Sequence, residues 1–133
     1  MQTYLTGKAI DELVNCKPNE WKVFIAMVKI AMYNVVDLPR YYDKVASGCR
    51  LGDKSIETAI TGLRKRGILV RTQLPKVWFI DPLYIMNGSH VKVFSVAKMI
   101  EDRNSSKILE RIREWEEEDM EKETSLNVGV LNV

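Results

Sequence analysis

Asp53-Lys54-Ser55-Ile56-Glu57-Thr58-Ala59-Ile60-Thr61-Gly62-Leu63-Arg64-Lys65-Arg66-Gly67-Ile68-Leu69-Val70-Arg71 is the stretch that decides the fold. Ile56, Ala59, Ile60 and Leu63 recur at i, i+3, i+4 and i+7, which is one face of a helix. Asp53 or Gly52 caps its start and Gly67 closes it in a left-handed conformation. At Ile68 the period changes from helix to strand. The outward face of this helix, predicted over 54–66, carries Lys54, Ser55, Thr58, Thr61 and Lys65, with Arg64 and Arg66 flanking it. Hydroxyls and flexible cations on an exposed helix face are the groups that reach base edges and phosphates in a DNA groove. Glu57 supports the helix dipole but opposes a nearby phosphate.

The flanking elements follow outward from this helix. Upstream, Pro39 suits the first turn of a helix with Tyr42, Val45, Ala46 and Cys49 on one face. Arg50-Leu51-Gly52 interrupts it, with Gly52 available for a positive φ. Ala46 and Ile56 stand ten residues apart, the spacing that packs the two helices of a helix-turn-helix, although Arg50 stands where that motif usually has glycine. Val35-Val36 predicts a short strand. A first strong helix is predicted over 19–33, capped by Asn19, with Trp21, Phe24, Ile25, Val28 and Met32 as its core stripe. Before it, 8–15 is a weaker segment expected to pack Ile10, Leu13 and Val14. Downstream, 68–74 and Val77–Ile80 form a hairpin turning at Pro75-Lys76 and carrying Arg71, Gln73 and Lys76. Residues 91–97 fit either a strand or the start of a helix. The order helix, strand, helix, turn, helix, hairpin is that of a winged helix-turn-helix. The expected class is therefore mainly α with a small β-hairpin wing (α+β).

The charges are arranged along the chain. Its 133 residues carry a net charge of only +2. Residues 38–78 nevertheless hold nine cations against three acids, whereas 98–123 hold six cations against ten acids. The basic block coincides with the helix and hairpin of the motif, which points to a polyanion partner. The expected DNA contacts are Lys54, Ser55, Thr58, Thr61, Arg64 and Lys65 from the helix. Arg71, Gln73 and Lys76 would contribute from the wing, and Arg40, Arg50 and Arg66 from its flanks.

Three stretches, NEWKVFIAMVKIAM, KSIETAITGLRKRGILVR and VWFIDPLYIMNGS, resemble the RepL-type plasmid replication proteins, small winged-helix proteins of bacterial plasmids. That family tends to end its wing with an aromatic, an aliphatic, Asn-Pro and a glycine a few residues on. Here Phe79-Ile80-Asp81-Pro82 and Gly88 correspond, with aspartate in place of asparagine. The resemblance spans about residues 19–100. It implies sequence-specific duplex DNA binding in the replication or copy control of a plasmid or phage, without a catalytic site. A transcription regulator of the same fold, contacting transcription rather than replication machinery, is the alternative. A protein-interaction adaptor with weak DNA binding is the second.

The expected organisation is a DNA-binding domain over 1–97, one long charged helix over 98–123 and a tail over 124–133, either disordered or adding a strand. Ile108, Ile112, Trp115 and Met120 lie near one face of that helix. It is read either as docked on the domain through Trp115 or as a homodimerisation helix. A third reading has its acids mask the basic face. The remaining composition, 46% hydrophobic and 29% charged, is that of a folded chain. Neither a membrane span nor a secretory leader is expected, and the expected location is cytoplasmic. Cys16, Cys49 and His90 do not make a zinc site. No phosphate-binding glycine loop or paired-carboxylate signature occurs, so neither an enzyme nor a cofactor is expected. The Tyr41-Tyr42 pair lacks the histidine cluster of a nicking enzyme, and helix packing and phosphate contact suit it better.

Overall fold

The computed structural model describes residues 3–131, with side chains over 5–121. It is mainly helical, with a three-stranded and a two-stranded antiparallel sheet. Strand β1 (Thr3–Leu5) precedes α1 (Gly7–Asn15) and α2 (Pro18–Ile30). Strand β2 (Val35–Asp37), α3 (Leu38–Cys49) and α4 (Asp53–Lys65) follow. Next come β3 (Leu69–Arg71), β4 (Val77–Ile80) and β5 (Ile85–Asn87), then α5 (His90–Glu101) and α6 (Ile108–Leu131).

The central sheet has the order β2-β4-β3, with Val35 opposite Phe79 and Leu69 opposite Ile80. Its side chains alternate between two cores, as the pleat requires. Val36, Leu69 and Ile80, with the partly buried Trp78, pack on the apolar cluster of α1–α4. Val35, Val77 and Phe79, with the partly buried Val70, pack on Val93 and Val96 of α5 and Ile108 and Ile112 of α6. The sheet is thus enclosed on both faces, which explains the unbroken apolar run Val77-Trp78-Phe79-Ile80.

Several boundaries differ from the sequence reading. Helix α2 starts at Pro18, with Lys17 rather than Asn19 at its N-cap, because proline's fixed φ suits the first helical position. Its buried face is Glu20, Val23, Phe24, Ala26 and Met27; of the predicted stripe Phe24 is buried, Val28 and Met32 are half-buried, and Trp21 and Ile25 are exposed. The helix is apolar nearly all round, so two stripes competed, and Trp21 and Ile25 lie at the exposed edge. In α1, Ala9 and Leu13 are buried, while Ile10 and Val14 are exposed, Val14 at 77%. Thr6 caps α1 by accepting a hydrogen bond from Ala9 N at 3.1 Å, which fixes that phase.

The predicted long helix over 98–123 is broken. Helix α5, capped by Ser89, runs across residue 97 and ends at Glu101. Arg103 turns left-handed (φ 57°), and Asn104 N donates to Met99 O at 2.7 Å. That is a Schellman ending, here without glycine. A short 3-10 turn, Ser105–Lys107, leads into α6, which extends over most of the stretch assigned to a tail. The phase of α6 is the predicted one at Ile108 and Ile112. The Trp115 ring meets the Tyr33 ring edge-on at 5.0 Å. The Tyr33 hydroxyl donates to Asp119 Oδ2 at 2.6 Å. Helix α6 is therefore docked within the chain. Met120, expected on the same face, is exposed.

Asn34 joins the two sheets. It occupies a hairpin turn with Tyr33 in which both residues have positive φ (66° and 50°), a geometry asparagine tolerates. Its Nδ2 donates to Ile80 O and Ile85 O, and its Oδ1 accepts from Asn87 N, each at 2.8 Å.

Candidate nucleic-acid interface

Helix α4 is placed by contacts at both ends. At its start, the left-handed residue is Arg50 (φ 55°), not Gly52, which caps the helix at φ −75°. The turn thus absorbs its reversal one step after α3 ends, so a non-glycine residue stands at the strained position. The Tyr42 hydroxyl donates to Asp53 Oδ1 across the turn. This bond to a carboxylate pushes the Tyr42 phenol up to about 12.

At the other end, Glu20 of α2 grips Arg66. Arg66 Nε donates to Glu20 Oε2 at 3.0 Å and Nη2 to Oε1 at 3.2 Å, a forked ion pair. Lys17 N donates to Glu20 Oε1 at 2.8 Å. The Glu20 residue is only 3% exposed. The guanidinium and the backbone amide hold its carboxyl below the usual range, against the opposing effect of burial. The carboxylate fits because position 62 is glycine: a Cβ there would lie 2.3 Å from Glu20 Oε2.

Between these fixed ends α4 forms a ridge with a groove on either side. The groove toward the start of α2, about 940 Å³, is lined by Lys54, Ser55, Thr58, Thr61 and Lys65, joined by Lys17. Lys54, Thr58, Thr61 and Lys65 are exposed and Ser55 half-buried. The Thr58 hydroxyl donates to Lys54 O at 2.9 Å and that of Thr61 to Glu57 O at 3.0 Å. Both hydroxyls keep acceptor capacity. The groove toward the hairpin, about 640 Å³, brings together Arg64, Arg71 and Lys76 above an apolar floor that includes Trp78. Lys54, Lys65, Arg64, Arg71 and Lys76 form no ion pair among the described residues.

Arg66 lines the groove toward α2, but its guanidinium is held by Glu20. Three other expected contacts, Gln73, Arg40 and Arg50, line neither groove. The amide oxygen of Gln73 accepts from Ser105 Oγ and Ser106 N, each at 3.3 Å, tying the hairpin to the 3-10 turn. Arg40 stacks over the Tyr41 ring at 5.0 Å and shares a small hollow with Arg113 and Glu116 of α6. Arg50 is exposed but lines neither groove. The sequence reading missed Lys17 and Trp78. A lysine directly before the proline that starts α2 was the signal for the first. Trp78 read simply as strand. Among the described residues, none of α6 lines either α4 groove.

Among the described residues no three His, Cys, Asp or Glu side chains are placed to hold a metal ion. Burial raises the Cys16 thiol above its usual range. Among the described residues no helix is long and apolar enough to cross a membrane. No protein-family model, curated protein or solved structure matches the chain.

Proposed function

We propose that this chain is a winged helix-turn-helix protein that binds duplex DNA sequence-specifically, without catalysis, in the cytoplasm. In this reading α3 and α4 are the helix-turn-helix, α4 enters the major groove, and the β3–β4 hairpin is the wing. The supporting observation is the exposed face of α4: lysines without ion-pair partners among the described residues and exposed threonines occupy one face of a helix fixed at both ends. Such preorganisation lowers the ordering cost of binding. Lys54 and Lys65 would reach bases or phosphates, Thr58 and Thr61 would meet base edges, and Arg64, Arg71 and Lys76 would follow the backbone. The resemblance to RepL-type proteins favours replication initiation or copy control of a plasmid or phage. A transcription regulator would use the same surface, and mapping the bound site to an origin or a promoter separates the two.

The test is selection from a random duplex library at two salt concentrations. A defined motif should be enriched and affinity should fall steeply with salt, with a Lys65→Ala variant lowering the log–log slope by about 1. The symmetry of the site reports whether one or two copies bind. Absence of enrichment, or selectivity unchanged in a Lys54/Thr58/Lys65 triple-alanine variant, refutes the reading.

A further inference from the structure

The two grooves beside α4 differ in chemistry. The α2 side is lined by Lys17, Lys54, Lys65, Arg66 and hydroxyls beside Pro18, Ala59 and the Glu20 carboxylate, and no aromatic ring is among them. The hairpin side has Leu38, Ile56 and Ile60, all buried, with the half-buried Trp78 as its floor. A duplex presents phosphate and sugar, not base faces, to the flank of a reading helix. An unpaired base offers a π-face to an indole. Arg64, Arg71 and Lys76, without ion-pair partners among the described residues, stand where the phosphates of such a strand would run. Two acids also line the groove. Asp53 is bonded to Tyr42, and Glu57 is an acceptor of the kind an exocyclic base amine uses.

We propose that the cleft between α4 and the β3–β4 hairpin binds single-stranded DNA, with one base against Trp78 and the flanking phosphates on Arg64, Arg71 and Lys76. The choice of DNA rests on the duplex reading above. Thr61 lines both grooves, so a strand leaving a duplex held on one side of α4 enters the other directly. Lys54, Thr58 and Lys65 would then keep the duplex while Arg64, Arg71 and Lys76 pass from its backbone to the displaced strand.

The experiment measures fluorescence anisotropy of a labelled thymidine octamer titrated with the full chain. An abasic octamer, a uridine octamer and the duplex from the selection serve as parallel arms. The thymidine octamer should bind at least about tenfold more tightly than the abasic one, the range expected for base stacking on an aromatic side chain. A Trp78→Leu variant, which keeps apolar volume, should lose about the same factor for the thymidine octamer and bind the selected duplex within about twofold of the native chain. Equal binding of abasic and thymidine octamers overturns the proposal, because charge alone then explains it. This comparison uses the native chain and stands even if the Trp78 variant fails to fold. Tighter binding of the uridine octamer overturns the assignment to DNA. Base-dependent octamer binding with no selectable duplex would sink the duplex reading and leave the cleft standing.

Discussion

Gly62→Ala sets two physical effects against each other, and the structure decides the sign. Position 62 lies inside α4, where glycine is less favourable than alanine by about 1 kcal/mol. On helix propensity alone the substitution stabilises. The new Cβ, however, would sit 2.3 Å from Glu20 Oε2 and 2.9 Å from its Cδ. A free glutamate would swing aside at little cost. This one is held by two bonds from Arg66 and one from Lys17 N. Displacing the Glu20 carboxylate from these charge-assisted bonds costs about 2–3 kcal/mol. The net expectation is destabilisation of about 1–2 kcal/mol, or roughly 3–8 °C in the melting midpoint for a domain of this size. The assay is urea denaturation followed by circular dichroism, run as a double-mutant cycle with Glu20→Ala. Without the carboxylate the alanine is accommodated, so Gly62→Ala should stabilise the Glu20→Ala protein by about 0.5–1 kcal/mol. The same substitution thus changes sign with its background. Stabilisation in both backgrounds would refute the reasoning, because Gly62 would then not be reserved for the ion pair.

Three further outcomes follow from the same geometry. Asn34→Ala removes three buried hydrogen bonds and leaves their backbone partners unsatisfied, so stability to urea should fall by at least about 3 kcal/mol. The folded-state pKa of Glu20 lies below its usual 4.5, so its contribution is complete above about pH 4.5 and is lost as pH falls through the depressed value. Glu20→Gln should therefore flatten the acid limb of stability against pH, and an unchanged limb would contradict the assignment. Trp115→Ala removes the edge-on contact with Tyr33 and should lower stability by about 2 kcal/mol. Amide exchange should then quicken in α6 before α4.

The α4 part was legible because its period is clean. Ile56, Ala59, Ile60 and Leu63 admit one buried face, and the structure buries all four. In α2, by contrast, Trp21-Phe24-Ile25-Val28 and Glu20-Val23-Phe24-Met27 are stripes of comparable quality. The second prevails because Glu20 pairs with Arg66, 46 residues away. Pattern counting does not see a distant ion pair. Nor does it see that Glu20 holds the Arg66 guanidinium, or that Ser105 and Ser106 hold the Gln73 amide. The short β1 and β5 carry little periodicity and exist through each other, Leu5 opposite Ile85. The α5–α6 break rests on a left-handed Arg103, where glycine, the usual marker, is absent. Trp78 was visible as a strand residue, but its place on a cleft floor depends on how α4 meets the hairpin.

Enclosure of the central sheet on both faces sets the order in which the chain can mature during synthesis. When residue 80 has left the ribosome, all three strands exist, yet the face bearing Val35, Val77 and Phe79 has no cover. Ile108 and Ile112 emerge roughly thirty residues later, a delay of a few seconds at typical elongation rates. Until then an apolar face lies open to other nascent chains. A message cut short after the hairpin would yield a product that holds the basic helix but aggregates.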